Sequence, residues 1–278
     1  MSAPLGLIAG GGRLPVSLAE QCVAAGRPVF VVRLRGFAEA ALARYPGAEI
    51  GVAELGAIFA ALRAAGCRAV CMAGAVARPD FAALKPDFRG LRALPGAVAA
   101  AGKGDDALLR FLLAEFEREG FVVEGAHQVA GALTLPAGAL GRLKPTPAQQ
   151  LDVQRGMSVA RALGALDVGQ GAVVCDNLVL AVEAQEGTDA MLGRVATLPA
   201  ALRGERGRPR GILAKALKPT QDARVDMPVI GPRTIEAAAE AGLAGVAGEA
   251  GRVLLVEADA VRAAADRLGL FVVGVEPG

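Results

Sequence analysis

The sequence predicts an α/β fold, with a Rossmann-like N-terminal domain followed by a second α/β domain. In the first half, short apolar segments alternate with longer segments of helical spacing, which is typical of a parallel sheet covered by helices. With 278 residues and 53% hydrophobic content, the chain is long enough for two hydrophobic cores. Prolines at 136, 145 and 147 mark a connection between them. We therefore expect domains at residues 1–135 and 147–278, joined by a linker at 136–146, and place the chemistry in the C-terminal α/β domain.

The first half contains four strand patterns alternating with three helix patterns. Two of the helix patterns stop at a glycine, Gly26 and Gly66, which suits a helix C-terminus. The third is amphipathic because its leucines recur at three- and four-residue intervals. The predicted strands are Leu5–Ala9, Pro28–Leu34, Ala69–Ala73 and Phe121–Glu124, and the predicted helices are Leu14–Ala25, Ile58–Ala65 and Asp105–Arg118.

The second half opens with a predicted helix, Pro147–Leu163, and a glycine-containing turn that leads into a strand. A further strand, Asn177–Ala184, alternates inward and outward residues. The short strand Gly211–Lys215 is expected to lie beside it. Because both strands would then end at the same edge, we expect the loop after Lys215 to reach the polar residues at the end of the Asn177–Ala184 strand.

The composition argues against a nucleic-acid-binding protein. Thirty basic and 28 acidic residues give a net charge of +2, so the chain lacks the concentrated positive field that such a protein needs. Aromatic residues make up 4% of the chain and there is no tryptophan, which leaves little for stacking on bases.

The same sequence predicts a cytoplasmic protein. The N-terminus has no basic region before its apolar run, and glycines interrupt that run too early for a signal peptide. No apolar stretch reaches the length of a membrane-spanning helix. The four cysteines lack the paired spacing of a metal site, so we interpret them as reduced thiols in the core.

The glycines after the first strand, Gly10–Gly12, could bring backbone N–H groups to a phosphate at a helix N-terminus. Gly11, Gly12 and Arg13 are therefore candidate phosphate contacts, although a tight turn that needs glycine torsions explains the same residues equally well. The pattern is not the spaced dinucleotide motif, and no acidic residue ends the second strand to bind a ribose. A nicotinamide-dependent oxidoreductase is therefore disfavoured.

The segment Lys215–Gly231 carries most of the candidate chemistry. Prolines at 219 and 228 prevent a regular helix or a central strand, so the segment is predicted to be a loop that displays its charges. Its cations suit phosphate oxygens, and its two acids could share a divalent cation or orient a water. Solvated charges in a surface loop are the alternative. The cations are Lys215, Lys218 and Arg224, and the acids are Asp222 and Asp226.

Six polar residues outside this loop have both a functional and a structural interpretation. Glu183 ends an apolar strand and must find water, a cation or a metal. Thr188 or Asp189 could only cap the following helix, and either Asp105 or Asp106 could cap another, which leaves the second acid to meet a ligand. His127, the single histidine, is better explained as a structural hydrogen-bonding residue than as a metal ligand.

Six motifs, in order, extend over nearly the whole chain: Leu7–Pro15, Gly102–Arg110, Glu124–His127, Asp167–Gly171, Val182–Leu192 and Lys218–Pro228. Together they resemble the UDP-2,3-diacylglucosamine pyrophosphatases of the LpxI type, which belong to lipid A biosynthesis. The resemblance implies a hydrolase that holds its substrate between two domains and uses a divalent cation, usually Mg²⁺. The implied products are 2,3-diacylglucosamine 1-phosphate (lipid X) and UMP, with water attacking the α-phosphorus.

Within that reaction, we expect Asp226 to be the most sensitive acid and Asp222 the second, with Lys215 as the catalytic cation. Asp222, Asp226 and Glu183 are the expected metal ligands. The expected substrate contacts are Gly11, Gly12, Arg13, Asp105, Gln170, Thr188, Lys218, Gln221 and Arg224.

The lipid-linked UDP-sugar substrate would require an apolar groove and peripheral contact with the cytoplasmic face of the inner membrane. Arginines at 203, 206, 208 and 210, with Arg89 and Arg92, could meet anionic headgroups, although each run alone is better explained as solvated. The helical segment 237–243 could pair two copies into a homodimer. A non-catalytic nucleotide-sugar or lipid-binding regulator is the alternative function, but such a binder has no reason to place three carboxylates near a diphosphate without a metal.

Overall fold

The computed structural model describes residues 3–77, 80–81, 83–219 and 222–277 and divides the chain into two compact units. The first unit comprises residues 1–131 and 224–226, and the second comprises residues 132–223 and 227–278. Both are α/β structures, which confirms the predicted fold class. The expected boundaries at 135 and 147 differ from this division in two respects. Residues 138–139, inside the expected linker, form a strand of the second unit, and residues 224–226 group with the first.

The first unit is a five-stranded parallel sheet with strand order β3-β2-β1-β4-β5. In this order the chain moves outward in one direction from β1 to β3 and then returns to the other side of β1 with β4. The crevice between the carboxyl ends of β1 and β4 is therefore a topological switch point, where open α/β sheets bind ligands. The elements are β1 (Leu5–Ala9), α1 (Arg13–Ala24), β2 (Val29–Leu34), a 3₁₀ turn (Ala40–Arg44), β3 (Gly47–Ile50), α2 (Leu55–Ala64), β4 (Ala69–Ala73), α3 (Phe88–Ala101), α4 (Asp105–Arg118), β5 (Val122–Val123) and α5 (Ala126–Val129).

Helix α3 is absent from the sequence-based prediction. Pro95 and Gly96 lie in its interior and disrupt the pattern by which a helix is recognised. Asp87 begins the helix, because one carboxylate oxygen accepts a hydrogen bond from the backbone N–H of Gly90 at 2.8 Å and the other from that of Ala57 at 2.9 Å. The same carboxylate thus caps α3 and attaches it to α2.

The second unit contains a six-stranded mixed sheet with strand order β6-β15-β13-β11-β7-β8. Strands β11, β13 and β15 are parallel, whereas β6, β7 and β8 pair antiparallel to their neighbours. The elements are a 3₁₀ turn (Gly131–Leu133), β6 (Gly138–Ala139), α6 (Pro147–Ala165), β7 (Gly171–Cys175), β8 (Leu178–Val182), α7 (Gly187–Ala196), α8 (Ala200–Arg203), β9 (Gly204–Glu205), β10 (Arg208–Pro209), β11 (Ile212–Lys215), β12 (Val229–Ile230), α9 (Pro232–Glu240), β13 (Gly245–Glu249), β14 (Leu254–Leu255), α10 (Ala258–Leu268) and β15 (Phe271–Val275).

This sheet is buried on both faces. Alternate residues of β7 enter different cores: Ala172 and Val174 pack with α6, whereas Val173 packs with α7, α9 and α10. Helix α6 approaches the sheet closely because Gly156 faces it; a Cβ at that position would lie 2.8 Å from the Cβ of Ala214. The segment 237–243, expected as a surface for homodimer pairing, contains the buried residues Ala238, Ala241 and Leu243.

Strand order corrects one sequence-based expectation. Strand β11 does not lie beside β8, because β7 separates them. Since β7 is antiparallel to both, its first residue, Gly171, pairs with Lys215 at the end of β11, and its carbonyl accepts the backbone N–H of Glu183 just after β8 at 2.9 Å. The ends of β8 and β11 therefore meet at the same edge of the sheet, as the sequence led us to expect, but with Gly171 between them.

The four cysteines are free and buried, as predicted for core thiols. Burial raises the pKa of the Cys71 thiol to about 12. In the part of the chain that the structure describes, no helix combines the length and the hydropathy needed to cross a bilayer.

Candidate functional site

Three charged side chains are buried at the carboxyl edge of the second sheet. Glu183 follows β8, Lys215 ends β11 and Glu249 ends β13, and their exposed fractions are 6%, 5% and 2%. Burying an ionised group that has no polar or charged partner costs roughly several kcal/mol. Each of these groups must therefore be paired or hydrogen-bonded.

A hydroxyl connects two of these groups. The Nζ of Lys215 donates to the Oγ1 of Thr188 at 2.8 Å and to the backbone carbonyl of Val229 at 3.1 Å. The Oγ1 of Thr188 in turn donates to the Oε1 of Glu183 at 3.0 Å. Thr188 therefore does not act as a helix cap; α7 begins after Glu186, without a side-chain cap. We call Lys215, Thr188 and Glu183 the buried lysine network.

Two acceptor oxygens at this edge have no hydrogen-bond partner among the described residues: Oε2 of Glu183 and Oε1 of Gln170. Both residues lie next to Gly171, where a Cβ would come within 2.3 Å of the Oε2 of Glu183. A glycine is therefore required for the carboxylate to occupy this position. Buried acceptors without a donor can receive a hydrogen bond from a ligand or bind a cation.

Glu249 and Arg161 support the start of the loop after Lys215 and were not identified from the sequence. The Nε of Arg161 donates to Oε1 of Glu249 at 2.7 Å, and the backbone N–H of Leu217 donates to Oε2 at 3.4 Å. Further along, Lys218 forms an ion pair with Asp167 at 3.0 Å. Glu249 is an acid that ends an apolar strand, which is the signal that identified Glu183, so the sequence contained the information needed to find it.

Residues 224–226 of the same loop pack within the first unit. Arg224 forms an ion pair with Glu117 of α4 at 2.7 Å, and Val225 packs against the core of the first sheet. The close approach requires Gly125, because a Cβ there would lie 2.9 Å from the Cα of Arg224 and 2.6 Å from the ring of His127. His127 is half-buried, and its Nδ1 has no partner in the described part of the chain.

Asp226 and Asp105 line a cavity of about 420 Å³ in the first unit. Gly10 and Gly74, which follow β1 and β4, also line this cavity, so it lies at the switch point of the sheet. Asp105 is in the first turn of α4 but does not cap it; the N-cap is Gly104, and Asp106 pairs with Arg110. The expectation that one of the two acids caps this helix is therefore wrong.

The glycine turn after β1 uses its three N–H groups within the protein. Gly10 donates to the carbonyl of Ala73 and Gly11 to that of Ala75, at 2.9 and 2.8 Å, and Gly12 donates to the carboxylate of Glu39 at 3.1 Å. Gly12 has φ 87°, which favours glycine. Arg13 is exposed at the first residue of α1. The structural role expected for these glycines is thus present, and phosphate contacts by Gly11, Gly12 and Arg13 stay a prediction.

The acids proposed as metal ligands fall in different units: Asp226 belongs to the first, Asp222 and Glu183 to the second. Among the described residues there is no group of three or more histidine, cysteine, aspartate or glutamate side chains arranged to hold a metal. Proteins usually hold Mg²⁺ through one or two carboxylates together with substrate phosphates and water. The unpartnered Oε2 of Glu183 has suitable donor chemistry. Gln221, an expected substrate contact, lies outside the described residues.

The buried lysine network predicts that Thr188→Val destabilises the second unit. The substitution keeps the side-chain volume but removes one acceptor from Lys215 and one donor from Glu183, so we expect a loss of about 1–3 kcal/mol in the free energy of unfolding. Urea denaturation measures it. Thr188→Ser is the matched control, because it keeps the hydroxyl and should retain most of the stability. Equal stability of the valine variant and the wild type would contradict this description of the network.

Comparison with known proteins agrees with the six sequence motifs described above and with the two α/β units. Residues 4–133 match the family model described as the LpxI N-terminal domain, and residues 136–273 match the LpxI C-terminal domain. A protein of Caulobacter vibrioides, UDP-2,3-diacylglucosamine pyrophosphatase LpxI, is 63% identical over 273 residues, which is 98% of each chain. Identity at this level, over both domains in their order, leaves one conclusion: the chain belongs to the LpxI family.

Proposed function

We propose that this protein hydrolyses the pyrophosphate bond of UDP-2,3-diacylglucosamine and releases 2,3-diacylglucosamine 1-phosphate and UMP. The observation that carries this proposal is the 63% identity, over 98% of both chains, to a protein named as a pyrophosphatase of that substrate. The buried lysine network supports it, since a buried cation at a sheet edge suits a diphosphate.

Lys215 differs from the other two cations of the loop. Lys215 is 5% exposed and donates to a hydroxyl and a carbonyl, whereas the more exposed Lys218 and Arg224 pair with the carboxylates of Asp167 and Glu117. Those two carboxylates are 52% and 47% exposed, and exposed ion pairs contribute little to stability, so a diphosphate could replace them at low cost. We assign the role of stabilising negative charge on the phosphoryl oxygens to Lys215, assisted by Lys218 and Arg224.

Mg²⁺, when bound, would neutralise the charge that develops on the phosphoryl oxygens. We propose Asp222, Asp226 and Glu183 as the carboxylates available to hold it. We further propose that the carboxylate of Asp226 orients the attacking water or accepts a proton from that water. Among the loop acids it is the one that lines a cavity at the switch point of a Rossmann-like sheet.

UMP release from UDP-2,3-diacylglucosamine, with Mg²⁺ and with chelator, tests this proposal. We expect chelator-sensitive turnover that falls by about 100-fold or more in Asp226→Ala and by less in Asp222→Ala. Asp259→Ala is the control, because the side chain of Asp259 is 95% exposed on α10. Near-normal turnover with both loop acids replaced would contradict the assigned roles. Binding of the substrate without UMP under any divalent metal would favour a non-catalytic regulator.

Reaction in H₂¹⁸O identifies the phosphorus that water attacks. Attack at the α-phosphorus, the expectation from the sequence, places ¹⁸O in UMP. Attack at the β-phosphorus gives the same two products but places ¹⁸O in the lipid phosphate. Mass spectrometry of the two products separates these outcomes, and label in the lipid phosphate would overturn the expected position of attack without affecting the proposed activity.

We also propose that the hairpin formed by β9 and β10 contacts an anionic membrane surface. Arg206 and Arg208 are exposed on it. The other two arginines of this run have internal roles: Arg203 donates to the carbonyls of Leu198 and Gly204, and Arg210 pairs with Asp176. Changing all four would disturb the hairpin itself.

Co-sedimentation with anionic vesicles should therefore weaken in Arg206→Ser/Arg208→Ser, since each arginine near an anionic surface contributes about 1 kcal/mol. The matched control, Arg142→Ser/Arg262→Ser, removes the same charge from other exposed positions. Equal loss of binding in the two double variants would show that net charge, and not the hairpin, determines membrane contact.

A further inference from the structure

The outer side of helix α3 carries exposed apolar side chains. Phe88, Leu91, Pro95 and Val98 follow one another at three- and four-residue intervals, so they lie on one side of the helix. Phe88 is 77% exposed, and Leu91 and Val98 are 57% and 45% exposed. We call these four residues the α3 stripe. Single exposed apolar residues are common, but a contiguous set along one helix marks a surface that contacts a partner or a membrane.

The inner side of α3 is attached to the rest of the first unit. Gly90 is buried, and a Cβ there would overlap the carbonyl of Ala53. Arg89 forms an ion pair with Glu119 at 2.6 Å, and Asp87 caps the helix. Rotating the helix to bury the α3 stripe would break all three contacts. The helix is therefore apolar on both sides, and its outer side needs a cover from outside the unit.

Cations border the α3 stripe. Helix α3 contains two arginines and no acidic residue. The guanidinium of Arg92 is exposed and lies 5.9 Å from the centre of the Phe88 ring, so its charge sits beside the apolar side chains. Lys85 and Lys103 are exposed near the two ends of the helix. An apolar stripe bordered by cations is typical of a helix that lies in the headgroup region of an anionic membrane.

A second copy of this chain is a poorer partner for the α3 stripe. A two-fold interface brings the same surface of both copies together, so Arg92 and the two lysines would face their own counterparts. Because the helix has no acid to pair with them, this arrangement is repulsive. Anionic phospholipids supply the opposite charge in their headgroups, and the acyl region beneath accepts the apolar side chains.

We propose that the α3 stripe inserts into the headgroup region of an anionic lipid bilayer and attaches the first unit to it. This surface differs from the β9–β10 hairpin, whose exposed arginines act through charge. The choice of a lipid surface over an acidic protein rests on the proposed function, since a diacylated substrate resides in a membrane. Apolar insertion implies that binding persists when salt screens the charges.

A single tryptophan tests insertion directly, because the chain contains none. Phe88→Trp places an indole on the α3 stripe, and Leu151→Trp, at a leucine that is 60% exposed on α6, is the matched control. With vesicles of phosphatidylcholine and phosphatidylglycerol, we expect the emission of the indole at position 88 to shift to shorter wavelength and to be quenched by brominated acyl chains. The indole at position 151 should show neither effect. No quenching at position 88, or equal quenching at both positions, would overturn the proposal.

A pair of double variants measures the contribution of the α3 stripe to vesicle binding. Phe88→Ser/Leu91→Ser removes apolar area from the stripe, whereas Leu151→Ser/Leu166→Ser removes leucines that are 60% and 74% exposed elsewhere. At raised salt, the vesicle partition coefficient should fall about tenfold or more in the first variant and stay near the wild-type value in the second. Equal partitioning of the two variants would contradict the insertion of α3. Equal melting temperatures establish that folding is not the cause.

Sedimentation velocity without vesicles tests the alternative occupant. A wild-type dimer that dissociates in Phe88→Ser/Leu91→Ser would assign the α3 stripe to a second copy and overturn the membrane surface. A wild type and a variant with the same sedimentation coefficient support it.

UMP release from substrate dispersed in detergent separates this inference from the proposed function. If the wild type releases UMP but the indole at position 88 is not quenched, the membrane surface is wrong and the proposed function stands. If the indole is quenched but no UMP is released, the membrane surface stands and the proposed function fails.

Discussion

The constraint on which the second unit depends is the burial of opposite charges at one edge of its sheet. Lys215 and Glu183 are each almost inaccessible, and neither would be tolerated there without a polar partner. Thr188 provides it for both, because a hydroxyl accepts one hydrogen bond and donates another. Gly171 leaves the space that the carboxylate of Glu183 occupies. The order of strands, with antiparallel β7 between β8 and β11, is what brings these residues together.

The same edge explains how the loop after β11 is organised. Glu249, at the end of the next strand, accepts hydrogen bonds from Arg161 and from the backbone of Leu217, so the loop leaves the sheet in a defined direction. Beyond this start the chain returns to the first unit for three residues, where Arg224 pairs with Glu117 and Asp226 reaches an apolar cavity. Buried charge thus lies at the sheet edge of the second unit, and the apolar cavity lies in the first unit.

Local patterns predicted much of the fold. Strands Leu5–Ala9 and Ala69–Ala73 and helix Asp105–Arg118 lie where apolar periodicity placed them. The pattern failed at α3, because Pro95 and Gly96 interrupt it while distant contacts, such as that of Asp87 with Ala57, stabilise the helix. For the site, the sequence identified Lys215 and Glu183 from their positions at strand ends. It could not assign Thr188, since its role depends on a lysine 27 residues away rather than on the helix it begins. The return of residues 224–226 to the first unit likewise depends on tertiary contacts that no local pattern encodes.

The most direct test of the buried lysine network is a double-mutant cycle with Lys215→Met and Glu183→Gln, measured by urea denaturation. The two charges are buried at the same edge and share the hydroxyl of Thr188, so each single variant should be strongly destabilised, whereas the double variant removes both charges. We predict that the double variant is more stable than the sum of the two single losses implies, by about 1–3 kcal/mol. Losses that add to within about 0.5 kcal/mol would mean that the two residues are energetically independent, and would contradict the central role given to this network.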